Sequence, residues 1–236
     1  PERYRVISVE GAFHGRSLAC ISSGRQEKHT AGFGPLVDGF DQVAFGNMNE
    51  MRAAITPETA GIVIEPVQGE GGIRPVDADY LKELRAVADE FGILLMYDEV
   101  QCGIGRTGKL YAHEWSGAAP DILASAKGLG GGFPIGATLA TEAVADAMKA
   151  GSHGSTFGGN PLAMAVGNAV VDVVLADGFM DNVTARAEQL ANGLDALVKK
   201  YPDILAGHRG MGLMQGLQCQ GENGENGTLE IGRAHV

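Results

Sequence analysis

The sequence is poor in the features that mark a secreted, membrane-spanning or nucleic-acid-binding protein. Its three cysteines, Cys20, Cys102 and Cys219, are odd in number and far apart. They make no disulfide framework and point to a reducing compartment, the cytoplasm. No apolar run reaches the roughly 20 residues needed to cross a bilayer, and no signal-peptide pattern opens the chain. Basic residues are outnumbered, 18 Lys and Arg against 29 Asp and Glu, for a net charge of -11 and a pI of about 4.9. That balance speaks against a nucleic-acid surface or an anionic-membrane surface. No block of like charge forms a tail. The six histidines and three cysteines show no metal-ligand spacing, so no metal site is expected.

What remains is an ordinary globular composition, 44% apolar and 20% charged over 236 residues, enough for one large domain or one and a half. The 36 glycines gather at strand ends and turns. The chain opens on Pro1 rather than Met, and residues 3–9 already read as a strand, so an N-terminal part is expected to be missing.

Apolar runs alternate with helical patterns. Strands are expected over 61–64, 93–97, 122–126 and 135–140, and another over 210–218. Met51 to Ile55 suits a short helix stopped by Thr56-Pro57. Asp77 caps a helix that runs to Phe91, with Leu81, Leu84, Ala88 and Phe91 on one face and Gly92 as its stop. Asn160-Pro161 starts a long helix ending near Asp177, and a last one covers roughly 182–200. The segments 10–17 and 18–35 read as irregular or loop. This is an α/β chain with a mostly parallel sheet covered on both faces. Ligands bind such sheets beyond the carboxyl ends of the strands, where Glu65, Asp98 and Lys127 all lie.

Lys127 ends an apolar run and is followed by Gly128-Leu-Gly-Gly-Gly132, which leaves room for a flat ligand. An amine held in a desolvated pocket can condense with an aldehyde cofactor; a solvated loop lysine is the ordinary alternative. A carboxylate such as Asp98 keeps a pyridine nitrogen protonated, so that the ring acts as an electron sink. A cap for the following loop or a metal ligand is the ordinary alternative. Gln101 can donate to a ring oxygen or satisfy loop backbone. Phe13 can stack on a ring or pack in the core. Arg16 suits a substrate carboxylate or a surface ion pair. Ser155 and Thr156, just before a helix, suit a phosphate or a cap.

Two glycine loops resemble nucleotide motifs and fall short. Gly103-Ile-Gly-Arg-Thr-Gly-Lys109 is followed by Leu110, where a phosphate loop needs Ser or Thr. Gly128-Leu-Gly130 runs into Phe133-Pro134, where a dinucleotide fingerprint needs glycine and a helix. A nucleotide-binding module is the rival they leave.

Five segments together resemble the class III, fold-type-I, pyridoxal-phosphate-dependent aminotransferases. They are Phe13-His-Gly-Arg-Ser17, Glu65-Pro-Val-Gln-Gly-Glu-Gly-Gly72, Asp98-Glu-Val-Gln-Cys-Gly-Ile-Gly-Arg-Thr-Gly108, Ser125-Ala-Lys-Gly-Leu-Gly-Gly-Gly-Phe-Pro134 and His153-Gly-Ser-Thr-Phe-Gly-Gly-Asn-Pro161. The resemblance covers residues 1 to about 220. It implies a large cofactor-binding domain over 1–178 and the start of a small α+β domain over 179–220. It implies pyridoxal 5'-phosphate as cofactor, with Lys127 as the amine that condenses with it and shuttles the proton. Asp98 then pairs with the pyridinium, Gln101 meets the ring oxygen and Phe13 stacks on the ring.

By the same resemblance Arg16 holds the substrate α-carboxylate. Thr156 and Ser155 bind the phosphate in a neighbouring subunit, which requires a homodimer. Glu70 is the gate carboxylate that pairs with an arginine. Gly32-Phe-Gly-Pro35 and Gly151-Ser-His-Gly-Ser-Thr-Phe157 are most similar to members that transfer the amino group of N-acetylornithine to 2-oxoglutarate in arginine synthesis. Donors such as ornithine, succinylornithine and 4-aminobutyrate stay open, as does a catalytically silent fragment. Ser17 and Cys102 stand where the family usually has Thr, and the family's upstream phosphate turn and gate arginine lie outside the sequence. Residues 221–236 do not continue the pattern; Glu230-Ile-Gly-Arg-Ala-His-Val236 back-translates to a sequencing-adapter-like stretch, so a non-native tail is expected.

Overall fold

The computed structural model describes residues 2–220 and 227–231. The sequence alternation becomes a six-stranded sheet. In chain order its strands are β1 (Arg5–Val9), β2 (Phe40–Val43) and β3 (Thr59–Ile64), then, after a two-stranded ribbon of β4 (Val67–Gln68) and β5 (Arg74–Pro75), β6 (Leu94–Asp98), β7 (Ile122–Ser125) and β8 (Ala137–Ala140). The spatial order is β2-β1-β3-β6-β7-β8. Every pairing is parallel except β7 with the edge strand β8.

Alternation along β1 shows why both faces need cover. Ile7 and Val9 join a core with Ile62, Ile64, Leu95 and Tyr97 from neighbouring strands. Ser8 points the other way and donates to Ser23 O at 2.6 Å, at the end of helix α1 (Leu18–Gly24). A four-residue turn of helix, α2 (Glu27–Thr30), follows. Helices α3 (Met48–Ala54) and α4 (Ala78–Phe91) close the core face through Met51, Leu81, Leu84 and Ala88.

Helix α4 starts as the sequence dictates. Asp77 accepts from the amides of Asp79 and Tyr80, and Gly92 ends the helix at φ +59. Phe91 departs from expectation. It is 36% exposed, with the Arg52 guanidinium 5.5 Å from its ring centre. Tyr80 and Val87 are buried in addition to the expected face.

Other differences lie in the irregular stretches. The segment read as loop, 18–35, holds α1 and α2, and β2 follows it where no element was expected. Met51's helix starts earlier, at Met48, because Asn47 caps it by accepting from Glu50 N. After a short helical turn, α5 (Glu142–Ala145), come α6 (Pro161–Val174), capped by Asn160, and α7 (Phe179–Lys200). The single strand expected over 210–218 is a hairpin, β9 (Leu205–Met211) and β10 (Met214–Cys219), which turns at Gly212 with φ +58. Backbone 227–231 forms β11 (Gly227–Ile231), antiparallel to β10. The rest of the expected tail, 221–226 and 232–236, lies outside the described residues. No single helix among the described residues is long and apolar enough to cross a membrane.

Candidate active site

Neighbouring parallel strands end at one level. Ile64 of β3 pairs with Tyr97 of β6, so Glu65 and Asp98 leave the sheet side by side. Asp98 in turn pairs with Ala124 of β7, three residues before Lys127. The β1 end supplies the segment 10–16. The expected convergence of Glu65, Asp98 and Lys127 on the carboxyl rim is what the topology delivers.

Lys127 opens a tight 3-10 turn, Lys127–Gly130, with φ +46. A non-glycine residue in the left-handed region carries a cost that the surroundings must enforce, and such costs gather at functional sites. The turn closes at Gly131, φ +54. A Cβ on Gly128 would come within 3.2 Å of Ile104, so Gly128 packs tightly against the loop that follows Gln101.

Asp98 is held from two sides. Oδ1 accepts from Val100 N at 3.0 Å, and Oδ2 lies 2.8 Å from His14 Nδ1. The His14 side chain is 8% exposed and that of Asp98 13%. Burial works against a charge on His14, but the hydrogen bond and charge of Asp98 outweigh it and raise the imidazole above its ordinary value. Beside them Glu65, 4% exposed, accepts from Phe13 N at 2.9 Å and Gly69 N at 3.2 Å. Burial pushes its carboxyl up to about 7, opposed by the nearby His14 and by those two amides. An acid, an imidazole and a second acid thus sit together, from three strands.

The remaining expected residues are placed as follows. Gln101 is buried against Gly69, where a Cβ would lie 1.9 Å from Gln101 Oε1. Only glycine leaves this amide its place. The Phe13 ring meets the His29 ring edge-on at 5.3 Å, and the exposed Arg16 guanidinium lies 5.5 Å from the same ring. Glu70 is partly buried, 3.9 Å from Lys28 Nζ. Ser155 and Thr156 are exposed. Ser155 Oγ accepts from Gly158 N and lines a cavity of about 220 Å³ with Pro134 and Asn160 at the start of α6. A larger cavity, about 590 Å³, lies at the opposite end of the strands among Arg5, Asp41 and Glu58. It has no part in the rim chemistry.

The two nucleotide-like loops lack the required helices. Gly103-Ile-Gly-Arg-Thr-Gly108 turns through Ile104, Gly105 and Gly108 at positive φ and leads to the 3-10 turn Ala112–Trp115. His14 and Glu99 are the residues whose part the sequence did not disclose. Glu99, fully buried, accepts from Ala112 N at 2.6 Å, His113 N at 2.9 Å and His113 Nδ1 at 2.8 Å. It anchors the 103–113 loop directly behind Asp98. Cys102, also buried, approaches Glu99 Oε2 at 3.6 Å, and burial raises its thiol well above the ordinary value.

The donor set fits pyridoxal phosphate. A lysine in a strained turn can reach an aldehyde, an oriented carboxylate can face a ring nitrogen, and an amide seated on glycine can face a ring oxygen. A family model for class-III aminotransferases matches residues 1–235. The chain belongs to the class-III aminotransferases. An acetylornithine aminotransferase of Mesorhizobium japonicum is 64% identical over 219 residues, 93% of this chain and 55% of the relative. The ornithine aminotransferase of Toxoplasma gondii ME49 superposes with a TM-score of 0.88 at 32% identity, over 93% of this chain and 52% of that one. An amine transaminase from an uncultivated Pseudomonas species, solved with pyridoxal phosphate bound, gives a TM-score of 0.85 at 33% identity over 93% of this chain and 56% of that one. The chain spans about half the length of the curated relatives it matches.

Proposed function

We propose that this class-III aminotransferase chain serves the transfer of the amino group of N-acetylornithine to 2-oxoglutarate through pyridoxal 5'-phosphate, a step of arginine synthesis in the cytoplasm. The observation that carries the reading is the pair of adjacent strand ends that presents Asp98, fixed by His14, next to the strained Lys127. The identity to acetylornithine aminotransferases supports the choice of donor.

When bound, the cofactor supplies an electron sink for the bond broken at the amino-bearing carbon. Asp98 would accept the ring N–H, with His14 fixing the carboxylate. Gln101 would donate to the ring oxygen, and Phe13 would offer an aromatic ring for stacking. Lys127 Nζ would take the proton from the donor carbon that bears the amine and would return one to the corresponding carbon of the acceptor. Arg16 takes the substrate α-carboxylate as a planar fork. Glu70 stands at the rim as the gate carboxylate. Donor and acceptor use the same site in turn, in ping-pong order.

Ser155 and Thr156 serve the phosphate in a second subunit. The exposed apolar surface beside them supports this: Phe157 is 80% exposed and Leu162 61%. In this reading the sites are shared across a homodimer.

The test is a donor profile on the gene's full-length product. N-acetylornithine is expected to give the highest kcat/KM with 2-oxoglutarate. A preference for ornithine or 4-aminobutyrate would reassign the donor, and no transfer from any amine would sink the reading.

A further inference from the structure

The β9–β10 hairpin reaches the catalytic rim in two places. At its turn, a Cβ on Gly212 would fall 2.5 Å from Thr107 Cα, and Leu213 N donates to Arg106 O at 2.9 Å. The turn is thus seated on the loop that follows Gln101. Along β9, Arg209 Nε donates to Gly72 O at 2.7 Å. Beneath that bond Met214 of β10 is buried with Val67, Ile73, Cys102 and Ala112, and Met211 packs against them.

Gly72 belongs to the loop that carries Glu70. The loop has little slack on its inner side. A Cβ on Gly69 would meet the Gln101 amide at 1.9 Å, and one on Gly71 would meet Gly11 O at 2.8 Å. The amides of Gly72 and Ile73 both bond back to Gly69 O, at 2.9 and 3.1 Å. Ile73 is 2% exposed with φ +51. A β-branched residue adopts that conformation only where its surroundings enforce it. The enforcement comes from Met214 below and from Arg209 at the outer carbonyl. Without the hairpin, the outer side of this loop loses its only strand-borne hydrogen bond among those described.

We propose that Arg209 is a positioning residue for Glu70: by holding the Gly72 carbonyl it fixes the gate loop, and so makes discrimination between donor and acceptor depend on the seating of the β9–β10 hairpin. The substrate classes concerned are an amine with a neutral side-chain end and a dicarboxylic keto acid, whose second carboxylate competes with Glu70 for cationic partners. The effect on selectivity rests on the reading of Glu70 given above; the mechanical link does not.

The experiment has two arms. In the first, hydrogen exchange of residues 69–73 is followed in wild type and Arg209→Met, with α4 as the reference for global stability. Loss of a hydrogen bond from a charged donor should speed exchange at Gly72 and Ile73 about tenfold or more while α4 is unchanged. Unchanged exchange at 69–73 would overturn the proposal. Should Arg209→Met fail to fold, Arg209→Lys is read in the same way, because an ammonium cannot reproduce the directed Nε–H bond. In the second arm, the variant of the gene's full-length product should change the ratio of donor KM to acceptor KM about tenfold, with kcat within about twofold. Equal changes in both KM values, or a fall in kcat alone, would overturn the link to selectivity. A wild-type protein with no transferase activity would defeat the functional reading and leave the exchange arm to decide the link.

Discussion

A carboxyl buried as fully as Glu65 keeps its proton more easily in the folded state than in the unfolded one. Its folded value is about 7 against an ordinary 4.5. The stability it contributes is therefore complete below the unfolded value and lost as pH rises through about 7. Urea unfolding at about pH 5 and about pH 8 should show wild type losing stability toward the higher pH. Glu65→Gln, which cannot ionise, should flatten that dependence, and an unchanged slope would show that Glu65 does not titrate in this range. In the proposed site His14 would act on the cofactor through Asp98. Removing its 2.8 Å bond to Asp98 in His14→Leu strips a charged hydrogen bond and should weaken pyridoxal-phosphate binding about tenfold or more. Titration of the apo form checks this; equal affinity would make His14 a packing residue.

Helix α4 shows how an element converts pattern into stability. Leu84 is fully buried in the core between sheet and helix. Leu84→Ala should cost about 2–5 kcal/mol, measured by denaturant unfolding, because the cavity has rigid strand residues on one side. A loss below about 1 kcal/mol would mean the site collapses freely. This helix was legible in the sequence because its cap, its period and its stop agree: Asp77, the Leu81-Leu84-Ala88 spacing and Gly92. The strands ending at Ile64, Asp98 and Ser125 were legible for the same reason, as buried apolar runs closed by loop residues.

The hairpin was not legible, since Gly207, Gly210 and Gly212 break the alternation that marks strands. Nor was β2, whose Phe40-Asp-Gln-Val43 sits at the sheet edge and needs no apolar run. At the site, the rim positions of Asp98 and Lys127 could be read because Asp98 ends β6 and Lys127 follows the end of β7 by two residues. The partnership of His14 with Asp98, and of Glu65 with Phe13 and Gly69, spans up to 84 residues and exists only once the sheet aligns them. Local spacing holds no trace of such contacts.

At the scale of the whole molecule, sheet and site have one cause. Parallel order brings the ends of β3, β6 and β7 to one rim, and the β1 end adds Phe13 and His14. The chain's place among class-III aminotransferases agrees with that geometry. The central claim is that this rim holds pyridoxal phosphate through Lys127. The gene's full-length product, loaded with the cofactor and reduced with borohydride, can be digested and its peptides mapped by mass. The cofactor should be found on the peptide that contains Lys127 and on no other lysine. A label on Lys28 or Lys109, or none on any peptide, would contradict the account.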